Sequence, residues 1–271
     1  MVIASATTYR NTWRPAIAAG IAGALATMAA WPYAAALSPG LLARIDVPLH
    51  AFLALQLLQA LTLFTFLGWA GCRLAYAAGL TAGWDAPDTK NIAARPRIFA
   101  LQRTGLTASI VAGCLTGLAL LVLAALTASA MPAAASASVP DIALWKRLAA
   151  ALYGGVAEEL ICRLFLMSLL VWLARRFMAS DAPLGSKTAW IGIIGASLLF
   201  GFGHLPAAAA QWPLTTTVVV RTVVLNAAGG IMFGWLYWRR GMAHAMLAHF
   251  LADLVLHGIG GKLTRQVDTA S

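Results

Sequence analysis

Residues 148–173 read LAAALYGGVAEELICRLFLMSLLVWL, an apolar run that three charged residues interrupt: Glu158, Glu159 and Arg163. The run is long enough to cross a bilayer, because a spanning helix needs about 20 mostly apolar residues. Backbone polar groups in lipid must bond within their own segment, so the run predicts a transmembrane helix. The two adjacent glutamates are the only glutamates in the chain.

The composition of the whole chain agrees with this interpretation. Of 271 residues, 61% are hydrophobic and 10% are charged, whereas soluble domains have roughly 45–50% apolar and 25% charged residues. These values exclude a soluble globular enzyme and a disordered chain. The formal net charge is +10, but the basic residues lie mostly in short segments between apolar runs, so we expect the lipid bilayer and no nucleic acid as a partner.

The apolar runs predict an all-α, polytopic transmembrane helix bundle with about seven spans, or eight if one region forms a hairpin. We expect the first span to be retained rather than cleaved as a signal peptide. The second apolar region continues to about Leu80, as one long helix or as a span plus a re-entrant piece. The predicted spans are Pro15–Leu37, Val47–Cys72, Thr104–Ala130, Leu148–Leu173, Thr188–Leu205, Leu214–Trp238 and Gly241–Ile259.

The connecting segments predict an orientation and a division of the chain. The N-terminal tail and every second segment after it carry twelve basic residues in total, and the other segments carry five. Because the more basic segments stay in the cytoplasm, this places the N-terminus there and the C-terminus outside if seven spans are present. Residues 1–147 form an N-terminal membrane region with about three spans. Residues 148–259 form the bundle that carries the charged motifs, and residues 260–271 form a short tail.

Helical geometry gives the two glutamates different roles. Arg163 follows Glu159 by four residues, so the two lie on one helix face as an acid-before-base pair. Arg163 lies about 140° from Glu158 around an α-helix, which leaves Glu158 without this partner. A carboxylate without a cationic partner suits a general base or acid. A purely structural charge triad is the alternative.

Two histidines and an aspartate fall at a similar depth in other spans. His204 lies late in the fifth span, while His249 and Asp253 share a face of the seventh. At a rise of about 1.5 Å per residue, these three side chains and Glu158 all lie within roughly 7–15 Å of one membrane face. Such a group can activate water directly, with Glu158 as the base, or through a divalent metal, for which zinc fits the nitrogen-rich donors best.

Three motifs in this order resemble a known family. Glu158-Glu159-x-x-x-Arg163, Phe200-x-x-x-His204 and His249-x-x-x-Asp253 are similar to the motifs of the CAAX-protease and bacteriocin-processing family of intramembrane endopeptidases, the Rce1-like group. The resemblance covers about residues 148–257.

The resemblance implies a peptidase that cleaves near the C-terminus of a membrane-embedded or lipid-anchored protein or peptide. It implies catalytic roles for Glu158, His204, His249 and Asp253, with supporting roles for Glu159 and Arg163. The family is described both as metalloproteases and as metal-independent glutamate proteases, so a divalent metal held by His204, His249, Glu158 and Asp253 is one expectation and a metal-free site the other. A bacterial inner (cytoplasmic) membrane is the expected location. The alternatives are a non-proteolytic scaffold or regulator on the same fold and a proton-coupled transporter.

Other residues carry weaker expectations. Arg221 could snorkel, pair with a carboxylate or bind the C-terminus of a substrate. His244 and His257 are expected at the membrane interface. The same is expected of seven tryptophans, most of them near predicted span ends: Trp31, Trp69, Trp84, Trp145, Trp212, Trp235 and Trp238. Gly230 and Gly234, four residues apart, favour close helix packing, within the bundle or in a dimer.

Overall fold

The computed structural model describes residues 12–37, 40, 45–80, 103–133, 142–178 and 184–260, and these residues form a bundle of helices without strands. The all-α prediction is therefore confirmed for the described part of the chain. Helices occupy all seven predicted span positions. The first three are α1 (Trp13–Leu37), α2 (Leu49–Ala78) and α3 (Arg103–Leu126), with a 3₁₀ turn at Ala128–Ala130.

The fourth span position is one continuous helix over residues 144–177, which we call the central helix. Two of its segments, Tyr153–Glu158 and Leu160–Met167, are π-helical. They lie between α4 (Leu144–Leu152) and α5 (Ser168–Phe177). The central helix begins four residues before the predicted start at Leu148, so Arg147 belongs to its first turns.

The remaining helices carry the rest of the motifs. They are α6 (Ser186–Gly203), the short α7 (Leu205–Ala209), α8 (Thr216–Arg240) and α9 (Met242–Val255), which continues into a π-helical turn at Leu256–Gly260. Among the described residues, five helices are long and apolar enough to cross a membrane by length and composition. They lie at span positions one, two, three, five and six. The other two positions, the central helix and α9, carry Glu158, Glu159, Arg163, His249 and Asp253.

Local sequence explains where several helices begin and end. Gly79 ends α2 in the left-handed conformation at φ 74°, and its N–H bonds to the carbonyls of Ala75 and Tyr76. The second apolar region is therefore one long helix. Thr215 begins α8 by accepting a hydrogen bond from the N–H of Val218. Gly241, at φ 100°, joins α8 to α9 in a single residue, because glycine adopts positive φ at little cost.

Small residues bring α3 against α9, the helix that carries His249. A Cβ at Gly113 would lie 2.8 Å from the Cα of Ala248, and one at Gly117 would lie 2.7 Å from the carbonyl oxygen of Ala252. Close approach of this kind is the usual means of packing helices in lipid. Gly230 in the same way meets Ser197 of α6 inside the bundle, so the predicted close packing at Gly230 is found within one chain.

We predict that Gly113→Ala lowers the free energy of unfolding by about 1–3 kcal/mol, because the added methyl meets backbone that cannot rotate away. Gly229→Ala is the control, since the nearest atom to its added Cβ is a leucine methyl at 3.4 Å. Denaturant unfolding of the purified protein in detergent measures both variants. Equal stability of Gly113→Ala and Gly229→Ala would contradict this account of the α3–α9 contact.

Candidate active site

Glu159 lies at the centre of a buried ionic cluster that joins the central helix to α9. Its Oε1 atom is 2.8 Å from Nη1 of Arg163 and 2.7 Å from Nδ1 of His249. Glu159, Arg163 and His249 are all buried. The predicted Glu159–Arg163 pair is present. The contact with His249 was missed, because spacing within one helix says nothing about the residue that a second helix brings to it.

Aromatic rings enclose this cluster. The guanidinium of Arg163 lies 5.1 Å from the ring of Phe200 and 5.5 Å from that of Phe233. Phe233 also stacks on the imidazole of His249, with ring centroids 4.3 Å apart. Arg163 donates a further hydrogen bond to the carbonyl of Gly230 at 3.1 Å. The rings exclude water from the ion pair and fix the plane of the His249 imidazole.

The hydrogen bonds assign the tautomers of both site histidines. His204 places Nδ1 at 2.9 Å from the carbonyl of Phe200, and a carbonyl only accepts, so this nitrogen carries the proton. His249 places Nδ1 against Glu159, an acceptor because Arg163 holds it as the carboxylate. In both rings Nε2 is therefore the atom left for chemistry.

Glu158 faces both of these Nε2 atoms. Its carboxylate oxygens lie 3.8 Å from Nε2 of His204 and 3.7 Å from Nε2 of His249. Asp253 completes the group, with Oδ2 also 3.7 Å from Nε2 of His249. These separations are beyond direct hydrogen-bonding distance. Asp253 thus lies on the reactive side of His249, and Glu159 orients the ring from the other side.

Glycine at the central helix allows this convergence. A Cβ on Gly154 would overlap the carboxylate of Asp253 and lie 3.2 Å from Nε2 of His249. The π-helical backbone at this point also departs from the 100° per residue of an α-helix, although Glu159 and Arg163 remain in contact. Such segments are uncommon and are frequently found at functional sites.

The four side chains open into a cavity of about 540 Å³, a volume typical of ligand pockets. Glu158 and Asp253 are accessible from it, with side chains 20% and 15% exposed. The far wall comes from α1, which supplies Trp31 and Tyr33, and α8 adds Asn226. Tyr153 also lines the cavity. The α1 residues and Tyr153 carried no motif in the sequence.

Two more residues that the sequence singled out contact α3 or the residues after it. His244 is fully buried, and its Nδ1 lies 2.8 Å from the hydroxyl of Ser109 in α3. Arg221 donates from Nε to the hydroxyl of Thr127 at 2.8 Å and from Nη2 to the carbonyl of Ala124. Arg221 therefore ties α8 to α3 and is not among the residues that line the cavity. His257 does line it, beside Tyr33.

The expected divalent metal stays a prediction. Within the ranges that the structure describes, no group of three or more His, Cys, Asp or Glu side chains is arranged to hold a metal ion. Glu158 lies near Nε2 of both His204 and His249, and His249 lies near both Glu158 and Asp253, with separations of 3.7–3.8 Å. The chemistry below uses the side chains themselves.

Residues 140–255 match the Rce1-like family. The family is described as type II CAAX prenyl endopeptidase Rce1-like, and the matched residues run from just before the central helix to the end of α9. The match confirms the family resemblance found in the three motifs, and it indicates a CAAX-type intramembrane protease, hence a peptidase. With its apolar helices, the chain is an integral membrane protein. No curated protein and no solved structure matches the chain.

We predict that Arg163→Met destabilises the protein by about 3–5 kcal/mol, because it leaves the Glu159 carboxylate buried without a cation. Adding Glu159→Gln should recover part of this loss, so the double variant should be less destabilised than the sum of the two single effects. Denaturant unfolding of the wild type, both single variants and the double variant measures this double-mutant cycle. Arg176→Met, at an exposed helix end, is the control and should stay within about 0.5 kcal/mol. Additive effects in the cycle would rule out the coupling.

Proposed function

We propose that the protein is a glutamate-dependent intramembrane endopeptidase that hydrolyses a peptide bond in a lipid-anchored or membrane-embedded protein or peptide. The observation that carries the proposal is the position of Glu158 against two imidazole Nε2 atoms whose Nδ1 atoms are already engaged. Among the described residues no lysine or arginine pairs with this carboxylate, whereas Oε1 of its neighbour Glu159 contacts both Arg163 and His249. We further propose a bacterial inner membrane as the location.

Glu158 acts as the general base in this proposal. A water between Glu158 and the two imidazoles gives a proton to the carboxylate as its oxygen attacks the substrate carbonyl. The carbonyl oxygen then becomes an oxyanion. Collapse of the tetrahedral intermediate breaks the C–N bond, and Glu158 returns the proton to the leaving amine. The products are a carboxylate and an amine, and Glu158 is regenerated.

The histidines stabilise the oxyanion from Nε2. A ring that already donates from Nδ1 can donate from Nε2 only as the imidazolium. For His249 the surroundings supply the negative charge that this form requires, since Glu159 lies at Nδ1 and both Glu158 and Asp253 lie near Nε2. Donors fixed in place before the reaction are worth more than mobile ones, because they need no reorganisation as charge develops.

We predict that Glu158→Gln lowers kcat for peptide cleavage by about 10²–10⁴-fold, because the amide cannot accept the proton from water. The assay follows cleavage of a farnesylated peptide, and of the same peptide without the lipid, by the purified protein in detergent. Asp253→Asn is the matched carboxylate-to-amide control at the same imidazole, and its effect should be much smaller, since Asp253 lies near Nε2 of His249 but does not face both imidazoles as Glu158 does. Thermal unfolding checks that each variant is folded.

The outcomes separate the candidate functions. Wild-type activity in Glu158→Gln would contradict the proposed base. Activity that a chelator abolishes and zinc restores would contradict the metal-free mechanism while leaving a peptidase. Absence of cleavage of both peptides by the wild-type protein would favour a non-proteolytic scaffold on the same fold.

A further inference from the structure

The four reactive side chains offer an oxyanion few hydrogen-bond donors. Glu158 and Asp253, as carboxylates, only accept hydrogen bonds. His204 and His249 each use Nδ1 for a contact inside the protein, so Nε2 becomes a donor only when the ring gains a second proton. Donors that are fixed and already protonated stabilise an oxyanion best. A neutral donor beside the imidazoles would therefore complete the site.

Tyr153 of the central helix brings such a donor to the cavity. It is half-buried, and it lines the same cavity as Glu158, His204 and His249. Its ring packs against the hydrophobic core, while its hydroxyl makes no hydrogen bond to any of the described residues. A tyrosine hydroxyl away from bulk water usually has a partner. The Tyr153 hydroxyl is thus available to a molecule that enters the cavity.

Other neutral polar side chains at the cavity are less suited to this role. Thr27 donates its hydroxyl proton to a backbone carbonyl one turn earlier, at 2.8 Å. Asn226 donates from its amide to a backbone carbonyl in the same way. Tyr33 lies against His257, which follows His249 by eight residues, or about two turns of helix. Its hydroxyl is therefore farther along the cavity from the reactive groups.

The π-helical backbone places Tyr153 on the same face as Glu158. The segment Tyr153–Glu158 is π-helical, and a π-helix bonds residue i to residue i+5, so its first and last residues lie about one turn apart. In an α-helix the same two residues would lie about 140° apart around the axis. The charge of Glu158 also reaches the Tyr153 hydroxyl. Spacing read as an α-helix therefore gave no indication of this neighbour.

Gly154 shows how close the backbone of Tyr153 is to the reactive groups. A Cβ on Gly154 would lie 3.2 Å from Nε2 of His249. Consecutive Cα atoms are about 3.8 Å apart, so the Cα of Tyr153 lies no more than about 9 Å from this nitrogen. A tyrosine side chain covers most of that distance. The remainder is the space in which a substrate carbonyl would lie beside Nε2.

We propose that Tyr153 is a further catalytic residue, whose hydroxyl donates a hydrogen bond to the oxyanion of the tetrahedral intermediate beside Nε2 of His249. This rests on the proposed endopeptidase function. The phenol is neutral and keeps its proton throughout, so it donates without the charge that an imidazole must first acquire. The bond strengthens as negative charge develops on the substrate oxygen, and it therefore acts on the transition state more than on the bound substrate.

Tyr153→Phe tests the donor, because it removes the hydroxyl and keeps the ring. Cleavage of the farnesylated peptide in detergent should show kcat lower by about 10²-fold, the low end of the loss when one oxyanion donor is removed. KM should stay nearly constant, since the lost bond forms mainly in the transition state. Tyr76→Phe is the matched control. It removes a hydroxyl from α2, outside the residues that line the cavity, and it should keep the wild-type kcat.

Two further measurements distinguish a donor from a structural residue. The Ki of a phosphinic peptide, which imitates the tetrahedral intermediate, should rise in Tyr153→Phe by the factor by which kcat/KM falls. The Kd of the uncleaved peptide for Glu158→Gln protein should not change when Tyr153→Phe is added. Replacement of Tyr153 by 3-fluorotyrosine keeps the ring and the O–H group. It should retain the wild-type kcat and bind the phosphinic peptide at least as tightly.

Thermal unfolding shows whether each variant is folded, and the fluorotyrosine protein tests the donor even if Tyr153→Phe does not fold. Wild-type kcat in folded Tyr153→Phe, or weaker phosphinic peptide binding by the fluorotyrosine protein, would overturn the donor role. An equal loss in the Kd of the uncleaved peptide would overturn it too, because Tyr153 would then position the substrate. These results would leave the peptidase intact. Absence of cleavage by the wild-type protein would remove the proposed function, and the donor role with it.

Discussion

The hydrogen bond between Glu159 and His249 is the contact on which the site depends. It joins the central helix to α9 in a buried environment, and Arg163 supplies the charge that keeps the acceptor a carboxylate. Because Glu159 occupies Nδ1, the opposite nitrogen of His249 points to Glu158 and Asp253. A buried charge pair is weak evidence for stability in general. Here it fixes the orientation of a ring that a reaction would use.

The rest of the bundle serves this contact. Gly113 and Gly117 let α3 approach the backbone of α9 closely, and Gly154 leaves room for Asp253 beside the central helix. Gly241 turns the chain directly from α8 into α9, which brings Phe233 over the His249 ring. The first helix, α1, lies outside the matched family segment and still forms one wall of the cavity. The reactive groups thus come from the family segment, and part of their surroundings comes from outside it.

The sequence predicted the helical fold well and the site in part. Apolar length gives the position of each helix, because a bilayer allows few other backbone structures. Motif spacing predicted the pairing of Glu159 with Arg163 and a shared depth for Glu158, His204 and His249. The same spacing could not predict that Glu159 also holds His249, since this contact joins residues on two helices. Nor could it place Trp31 and Tyr33 at the cavity, because their sequence pattern equally fits a membrane interface.

A high-resolution structure with a phosphinic peptide tests the central claim most directly, since the phosphinyl group imitates the tetrahedral intermediate. The account predicts one phosphinyl oxygen at hydrogen-bonding distance from the Glu158 carboxyl group and the other at Nε2 of His204 or His249. Glu159 should keep its contacts with Arg163 and His249. A phosphinyl group bound away from Glu158, or one that contacts Glu159 in its place, would contradict the division of roles between the two glutamates.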